Sequence, residues 1–238
     1  MKQPPKPAPG DVVCCSDVHG QIGAFRKLVS WVKGSGAELL ILGDLIDRAK
    51  QPGDDLKVLR LAKAMCETPE KYGIANCTAL LGNHEHMLLN TVDGYGAADW
   101  VRNGGDYRNL DKLAKFAPWL RSLPYYTERG DTFFSHAGCF PGIDPAEYMV
   151  SESLREEFVW NRGSFLKKGP QFEKWAPHLT QAVFGHTPRG SQPYEVKDAL
   201  CIDTACFHTG KLTAFNVTVD EWYQFTSPVP KKKGQSQN

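Results

Sequence analysis

The stretch Leu80-Leu81-Gly82-Asn83-His84-Glu85 decides the fold that this sequence predicts. An apolar run, Thr78-Ala79-Leu80-Leu81, stops at a glycine and is followed at once by an amide, an imidazole and a carboxylate. Such a run is typical of a buried strand that reaches the carboxyl edge of a parallel sheet, where open α/β folds bind their ligands. The stretch therefore predicts a strand, a turn and a group of functional side chains at the edge of a sheet.

Four other segments have the same arrangement of an apolar strand that runs into polar side chains at a turn. They are Val12 to Gly20, Leu39 to Arg48, Thr132 to Gly138 and Ala182 to Pro188. The polar residues that these five strand ends carry include Asp17, His19, Asp44, Asn83, His136 and His186. Each segment alone is ordinary turn chemistry. Their joint occurrence predicts that the strand ends gather around one site.

The order of predicted elements indicates an α/β fold. Amphipathic helices over Ile22 to Lys33 and about 54–66 alternate with the first strands, which predicts right-handed crossovers in a parallel sheet. Short alternating runs after Tyr125, including 212–217 and 222–225, predict a second and largely antiparallel sheet. The fold class we expect is two mixed β-sheets packed as a sandwich and flanked by helices.

Composition limits the classes of partner. The chain has 238 residues, 41% of them hydrophobic, which suits one sizeable domain. Its 28 Lys and Arg nearly balance 27 Asp and Glu, so a net charge of +1 favours neither nucleic acid nor anionic membrane. Without a signal-peptide pattern or a run of about 18 apolar residues, we expect a cytoplasmic monomer that binds no membrane. Seven scattered cysteines predict reduced thiols.

The domain limits follow from the two ends of the chain. Residues 1–10 are rich in Pro and predict a flexible arm. Residues 228–238 contain Lys231-Lys232-Lys233 and predict a flexible basic tail. We therefore expect the folded domain, which carries the predicted site, to occupy residues 11–227.

The order of the motifs resembles the calcineurin-like metallophosphoesterases. Asp-x-His-Gly, Gly-Asp-x-x-Asp-Arg, Gly-Asn-His-Glu, His-Ala-Gly and Gly-His-Thr follow one another between residues 11 and 219. Within that family, Val159-Trp160-Asn161-Arg162 and Asn103-Gly104-Gly105 resemble segments of the phage lambda protein phosphatase and its bacterial serine/threonine phosphatase relatives. The resemblance implies the metallophosphoesterase fold and a phosphoric ester hydrolase that uses two divalent metal ions.

The resemblance also implies a set of metal ligands. One ion would be held by Asp17, His19 and Asp44, and the second by Asp44 as a bridge with Asn83, His136 and His186. Carboxylate, imidazole and amide donors without a thiolate suit Mn, Fe, Zn or Co, and we expect Mn²⁺. The reaction implied is direct attack on phosphorus by a hydroxide that bridges the two ions.

Four further residues have roles that the resemblance implies. His84 would be the general acid for the leaving group, and Asp47 would orient its imidazole. Arg48 and Arg162 would hold the phosphoryl oxygens of the substrate by bidentate hydrogen bonds.

Two substrate classes compete. The first is phosphorylated protein or peptide, which would make the chain a serine/threonine protein phosphatase. The alternative is a dinucleoside tetraphosphate such as diadenosine tetraphosphate, or a related nucleotide. Asp47 and Glu85 favour the first, because bacterial tetraphosphatases tend to have Ala and Asp at these positions. An inactive scaffold would have lost metal ligands, whereas all six are present, and the charge balance disfavours a nucleic-acid phosphodiesterase.

Two positions depart from the family pattern. Ser16 and Ala49 stand where a glycine is usual. If the backbone at Ala49 needs a positive φ, an alanine would strain the loop that carries Arg48.

Overall fold

The structure is a computed structural model that describes residues 4–227. The strands are β1 (Val12–Cys15), β2 (Glu38–Ile41), β3 (Asn76–Ala79), β4 (Tyr126–Arg129), β5 (Thr132–Ser135), β6 (Gln181–Phe184), β7 (Tyr194–Val196), β8 (Ala199–Cys201), β9 (Lys211–Asn216) and β10 (Glu221–Thr226). The helices are α1 (Ile22–Val32), α2 (Asp54–Glu67), α3 (Asn83–Val92), α4 (Ala97–Arg102), α5 (Leu110–Leu113), α6 (Ala117–Leu120), α7 (Pro145–Tyr148), α8 (Glu152–Arg155), α9 (Glu157–Trp160), α10 (Gly163–Lys168) and α11 (Cys206–Thr209).

Two mixed sheets, each containing three parallel strands, form the middle of the molecule. Within residues 4–227 the first sheet has the strand order β10-β9-β1-β2-β3, and the second has the order β4-β5-β6-β8-β7. In the first sheet β1, β2 and β3 are parallel, with Val13 opposite Leu39 and Leu40 opposite Thr78. In the second sheet β5, β6 and β8 are parallel. The predicted fold of two mixed sheets flanked by helices is confirmed.

The pairing of the later strands differs from the prediction. Strands β9 and β10 belong to the first sheet, where β9 runs antiparallel to β1 and β10 antiparallel to β9. The second sheet is not largely antiparallel, because only its edge strands β4 and β7 oppose their neighbours. Both expectations were wrong because alternating apolar residues identify the buried face of a strand but carry no information about its neighbour.

The core consists of three apolar layers that follow the alternation of side chains along the strands. Val13 and Leu39 point to the side of the first sheet that packs against α1, α2 and α3. Cys14 and Leu40 point the other way, where they meet Phe134 of the second sheet. The third layer covers the outer face of the second sheet beneath α7, α9 and α10. The strands are therefore buried on both faces, which leaves their carboxyl ends as the accessible edge.

The predicted helices over Ile22 to Lys33 and 54–66 are observed as α1 and α2. Residues 4–10 lie against α1, since Pro7 is buried and Trp31 Nε1 donates a hydrogen bond of 2.7 Å to the carbonyl of Pro5. Residues 1–3 and the tail at 228–238 lie outside the described residues. The seven cysteines are free thiols. None of the helices within residues 4–227 combines the length and apolar character needed to cross a membrane.

Candidate active site

The predicted metal ligands lie together at one edge of the sandwich, where parallel strands of both sheets end. In the first sheet, β1 leads to Asp17 and His19, β2 leads to Asp44, and β3 leads into α3 at Asn83. In the second sheet, His136 follows β5 and His186 follows β6. All six side chains are buried, none more than 5% exposed. The fold thus brings together residues that are up to 169 positions apart, as the hydrogen bond of 3.0 Å from the His186 N–H to Asp17 Oδ2 shows.

Asp44 lies at the centre of this group, with its two oxygens facing different histidines. Asp44 Oδ2 lies 3.6 Å from His19 Nε2, whereas Asp44 Oδ1 lies 3.4 Å from His136 Nε2. Asn83 Oδ1 lies 3.0 Å from His136 Nε2 and 2.9 Å from His186 Nδ1. One carboxylate therefore joins two clusters of donor atoms, which is the geometry that a bridging ligand requires.

Backbone carbonyls set the orientation of two of the imidazoles. His136 Nδ1 lies 2.7 Å from the carbonyl oxygen of Leu42, and His19 Nδ1 lies 3.0 Å from that of Ile46. A carbonyl accepts only from an N–H, so each ring carries its proton on Nδ1 and turns the Nε2 lone pair towards Asp44. Burial lowers the pKa of His19 to about 4 and lowers that of His136 as well. Both rings are therefore neutral, which is the form that binds a metal.

His84 and Asp47 form a pair beside the cluster. His84 Nδ1 lies 2.6 Å from Asp47 Oδ2, and His84 Nε2 points towards Asp44 Oδ2 at 3.9 Å. The buried indole of Trp100 donates from Nε1 to both oxygens of Asp47 at 3.0 Å. Burial lowers the pKa of His84 and raises the pKa of Asp47. The pair therefore holds its imidazole in one orientation at the site.

The two predicted substrate arginines contact different residues of the cluster, His19 for Arg48 and His186 for Arg162. Arg48 donates from Nε to the carbonyl of Asn103 at 3.2 Å, and its guanidinium lies 4.7 Å over the ring of Phe207. Arg162 is exposed and donates from Nη1 to the carbonyl of His186 at 3.2 Å and to Thr187 Oγ1 at 3.0 Å. Both guanidinium groups thus border the donor cluster.

The match to a known family accounts for this arrangement. The sequence profile of the calcineurin-like phosphoesterases matches residues 10–210. The chain belongs to the calcineurin-like phosphoesterase family. It is therefore a metallophosphoesterase, a hydrolase of phosphoric esters, and members of this family depend on two metal ions.

Individual relatives extend over most of this phosphoesterase. A bis(5'-nucleosyl)-tetraphosphatase PrpE [asymmetrical] from Geobacillus sp. (strain WCH70) is 25% identical over 241 residues, which cover 90% of this chain and 93% of the relative. The crystal structure of a putative diadenosine tetraphosphatase has a TM-score of 0.59 at 20% identity and covers 94% of this chain and 97% of its own. A serine/threonine phosphatase from Saccharomyces cerevisiae with similarity to human phosphatase PP5 has a TM-score of 0.63 at 16% identity, covering 94% and 82%. The two structural similarities show the fold.

The donor set fits the metal ions on which this family depends. His186 Nε2 is buried without a hydrogen-bond partner among the described residues, and its Nδ1 faces Asn83 Oδ1. In either tautomer, one ring nitrogen has a lone pair that accepts no hydrogen bond from the protein. This is expected of a nitrogen that binds a metal. Asp17, Asp44 and Asp203 are three buried carboxylates at the same edge. Burial and then Asp17 raise the pKa of Asp44 and that of Asp203, and bound cations would offset both effects.

Arg48 interacts with one of these donor atoms as well. Its Nη1 lies 3.0 Å from His19 Nε2, the nitrogen that faces Asp44. A guanidinium and a metal ion cannot share one lone pair. Binding of an ion by His19 therefore requires the Arg48 guanidinium to move away from Nε2.

The backbone at the site is held in an unusual conformation. Among described non-glycine residues, ten have a positive φ, and six of these are predicted site residues: Asp17, His19, Asp44, Asp47, Arg48 and His186. Such residues cost of order 1–3 kcal/mol each and persist where surrounding contacts determine the conformation. Ser16 and Ala49 do not have a positive φ, so their departure from glycine strains neither turn. The left-handed conformation falls on Arg48 itself, at a φ of 60°.

Glu85 supports the turn that carries Asp44. Its buried carboxylate accepts hydrogen bonds of 2.8 Å from the N–H groups of Asp44 and Leu45, and a third of 3.1 Å from Gly82. Burial raises the pKa of Glu85, whereas these N–H groups lower it. The carboxylate therefore connects the turn after β2 with the start of α3, as expected for a residue that supports metal ligands.

Sequence reasoning missed two contributors to the site. Trp100 was assigned no role at the site, although its indole N–H donates to Asp47. Asp203 follows the apolar segment of β8 and accepts from the N–H of Ala205 at 2.8 Å. The signal for Asp203 was present, since an acidic residue after a short apolar run also marked Asp17 and Asp44. The signal for Trp100 was not, because a buried donor and a packed indole have the same sequence pattern.

Proposed function

We propose that this phosphoesterase hydrolyses dinucleoside tetraphosphates. The observation that carries the proposal is the similarity to a bis(5'-nucleosyl)-tetraphosphatase over 90% of this chain and 93% of the relative. This reverses the order of preference that Asp47 and Glu85 suggested in the sequence. A small phosphoester with two nucleosides is therefore the substrate we favour over a phosphorylated protein.

Under this proposal the six buried donors hold two divalent ions, for which Mn²⁺ is the expected metal. The ligands are Asp17, His19 and Asp44 for one ion, and Asp44, Asn83, His136 and His186 for the other. When bound, two such ions polarise the phosphoryl oxygens and lower the pKa of a water molecule. The sharing of Asp44 between two histidines at 3.4 Å and 3.6 Å supports this division.

The protein groups then act on the two ends of the bond that breaks. Arg48 and Arg162 bind the non-bridging phosphoryl oxygens, where their charge stabilises the transition state. Water adds to phosphorus, the bridging P–O bond breaks, and the electron pair leaves with the departing nucleotide. His84 Nε2 can donate a proton to that oxygen while His84 Nδ1 remains bound to Asp47. His84 and Asp47 together carry the same number of protons whether both are neutral or whether they form an imidazolium and a carboxylate. In either state the pair can deliver one proton to the leaving oxygen.

A serine/threonine protein phosphatase is the second candidate, and the His84–Asp47 pair favours it. A nucleotide leaves through a phosphate oxygen whose second pKa is about 6, so it needs little help from an acid at neutral pH. A serine alkoxide is far more basic and needs a proton in the transition state. The 2.6 Å contact of His84 with Asp47, supported by Trp100, is a structure that such a leaving group would require.

The test compares both substrates on one preparation. Metal-stripped protein is reconstituted with Mn²⁺, and kcat/KM is measured on diadenosine tetraphosphate and on a phosphoserine peptide. We expect the dinucleotide to have the higher kcat/KM, with ATP and AMP as the products if cleavage is asymmetrical. A higher kcat/KM on the peptide would reject the proposal in favour of the second candidate. The metal-stripped protein without Mn²⁺ is the control and should be inactive on both.

A further inference from the structure

A cavity of about 300 Å³ is walled by three helical segments. Helix α3 contributes Met87 and Asn90, α4 and its flanks contribute Asp99 and Asn103, and α9 with its preceding residue contributes Trp160 and Glu156. This volume is at the lower limit for sites that bind small ligands. The cavity therefore has room for one compact group and not for a folded peptide segment.

The cavity runs along α3, the helix that begins at the predicted metal ligand Asn83. Asn83, Met87 and Asn90 are spaced by four and three residues, so they share one face of this helix. Seven residues of α helix span about 10 Å. Asn90 in the cavity wall therefore lies roughly the length of a ribose and a base along the helix axis from Asn83, which contacts His136 and His186.

Trp160 supplies a flat aromatic surface to this cavity. Its indole is 37% exposed, and its ring centre lies 6.0 Å from that of His186 at an interplanar angle of 90°. Trp160 and Glu156 lie one helical turn apart, and the N–H of Trp160 donates to the carbonyl of Glu156 at 2.9 Å. A large exposed indole next to a metal-site histidine is a surface on which a planar ring can stack.

The charges of the cavity favour a base and ribose over phosphate. Its described lining residues include the carboxylates Asp99 and Glu156 and the amides Asn90 and Asn103, and none of them is Lys or Arg. The lining imidazole of His86 lies 3.8 Å from Glu156, and Arg102, outside the lining, donates to Asp99 at 2.8 Å, so Glu156 and the two amides are the main groups left to meet a ligand. Carboxylates repel phosphate groups but accept hydrogen bonds from hydroxyl and amino groups. The guanidinium groups, by contrast, belong to Arg48 and Arg162 at the metal cluster. A ligand that places its phosphates at the cluster would therefore put its neutral end in the cavity.

We propose that this cavity is a nucleoside subsite in which a purine base stacks on the indole of Trp160 while the attached phosphates reach the metal ligands. The proposal deepens the function inferred above and rests on it for the identity of the complete substrate. It assigns the preference for nucleotides to Trp160, a residue that takes no part in the hydrolysis itself.

The experiment measures the contribution of the base directly. Calorimetry on the Mn²⁺-loaded protein gives dissociation constants for AMP and for ribose 5-phosphate, which has a hydroxyl group in place of the adenine base. Stacking of one base on an aromatic side chain is worth ~1–3 kcal/mol, so we expect AMP to bind about 5- to 150-fold more tightly. Trp160→Ala should reduce this ratio to below about twofold, and Trp160→Phe should retain most of it. Trp222→Ala removes a similarly exposed indole, 42% exposed, from β10 and should leave the ratio unchanged.

Two results would overturn the subsite. One is equal binding of AMP and ribose 5-phosphate to the unmodified protein, and the other is a ratio that survives in Trp160→Ala. Neither depends on turnover, so the subsite and the proposed function fail separately. A high ratio in a protein that does not cleave diadenosine tetraphosphate would support the subsite and reject that substrate. Cleavage of the dinucleotide together with nearly equal binding of AMP and ribose 5-phosphate would support that substrate and reject the subsite.

Discussion

The site has a floor and a rim that are built differently. The floor is the set Asp17, His19, Asp44, Asn83, His136 and His186, all buried and attached to the ends of parallel strands. The rim is the set Arg48, Trp160 and Arg162, which are half-buried or exposed and lie on turns or short helices. Under the proposed function, the floor would hold the metal ions and the rim would contact the rest of the substrate.

We infer from this difference that the floor determines the reaction and that the rim determines which substrates are hydrolysed. His136 donates a hydrogen bond to the carbonyl of Leu42, and Glu85 accepts hydrogen bonds from the N–H groups of Asp44 and Leu45. These contacts hold the floor, so changes there should affect every substrate equally. The side chains of the rim have more freedom, so changes there should affect substrates unequally. Substitutions that violate this rule would show that the division is wrong.

The largest effect is expected for Asp44→Asn. Loss of the shared carboxylate should remove both metal ions and lower kcat/KM by more than about 10³-fold on all substrates, because metal catalysis is worth several kcal/mol. Metal content by mass spectrometry and turnover should fall together. Asp111→Asn, an exposed change in α5, is the matched control. Retention of both ions with full activity would disprove the bridging position of Asp44.

The next effect distinguishes leaving groups. His84→Asn should retain both ions but lower kcat by roughly 10²–10⁴ on a phosphoserine peptide, as loss of a general acid does. On diadenosine tetraphosphate the loss should be below about tenfold, since its leaving group needs little protonation. Steady-state kinetics with matched metal content measures both. His178→Asn, 62% exposed at its side chain, serves as control.

An equal loss on the two substrates would contradict this prediction. It would mean that His84 contributes to the floor as a structural or metal-binding group. That outcome has a physical basis, because His84 Nε2 lies only 3.9 Å from Asp44 Oδ2 and groups with His19 and Asp44 as a possible set of metal donors.

The floor could be predicted from the sequence far better than the rim. Each floor residue follows an apolar run within a few positions, so local pattern identified Asp44 and Asn83, and the order of the motifs identified the fold. Trp100 reaches Asp47 across 53 positions, and no local pattern signals that contact. The pairing of β9 with β1 was missed for the same reason. The cavity at Trp160 needs three helices to meet, and only the folded structure shows it.

A change beneath the floor should have a smaller effect than a change within it. Glu85→Gln replaces one acceptor oxygen with an NH₂ group that faces backbone N–H donors at about 2.8 Å. We expect a 10- to 100-fold loss of metal affinity, the range for residues that orient metal ligands. Metal titration of the stripped protein measures this, with the exposed Glu70→Gln as control. Unchanged metal affinity would show that the turn after β2 keeps its shape without Glu85.

The smallest effect is expected at the rim, for Arg162→Lys. Lysine keeps the charge but has one ammonium in place of a planar fork, so it cannot contact His186, Thr187 and two phosphoryl oxygens at once. We expect kcat/KM to fall about tenfold, or ~1.4 kcal/mol, with metal content unchanged. Arg60→Lys, exposed on α2, should have no effect. A loss of metal together with activity would instead place Arg162 in the floor, because its contact with the carbonyl of His186 would then be what holds that ligand in position.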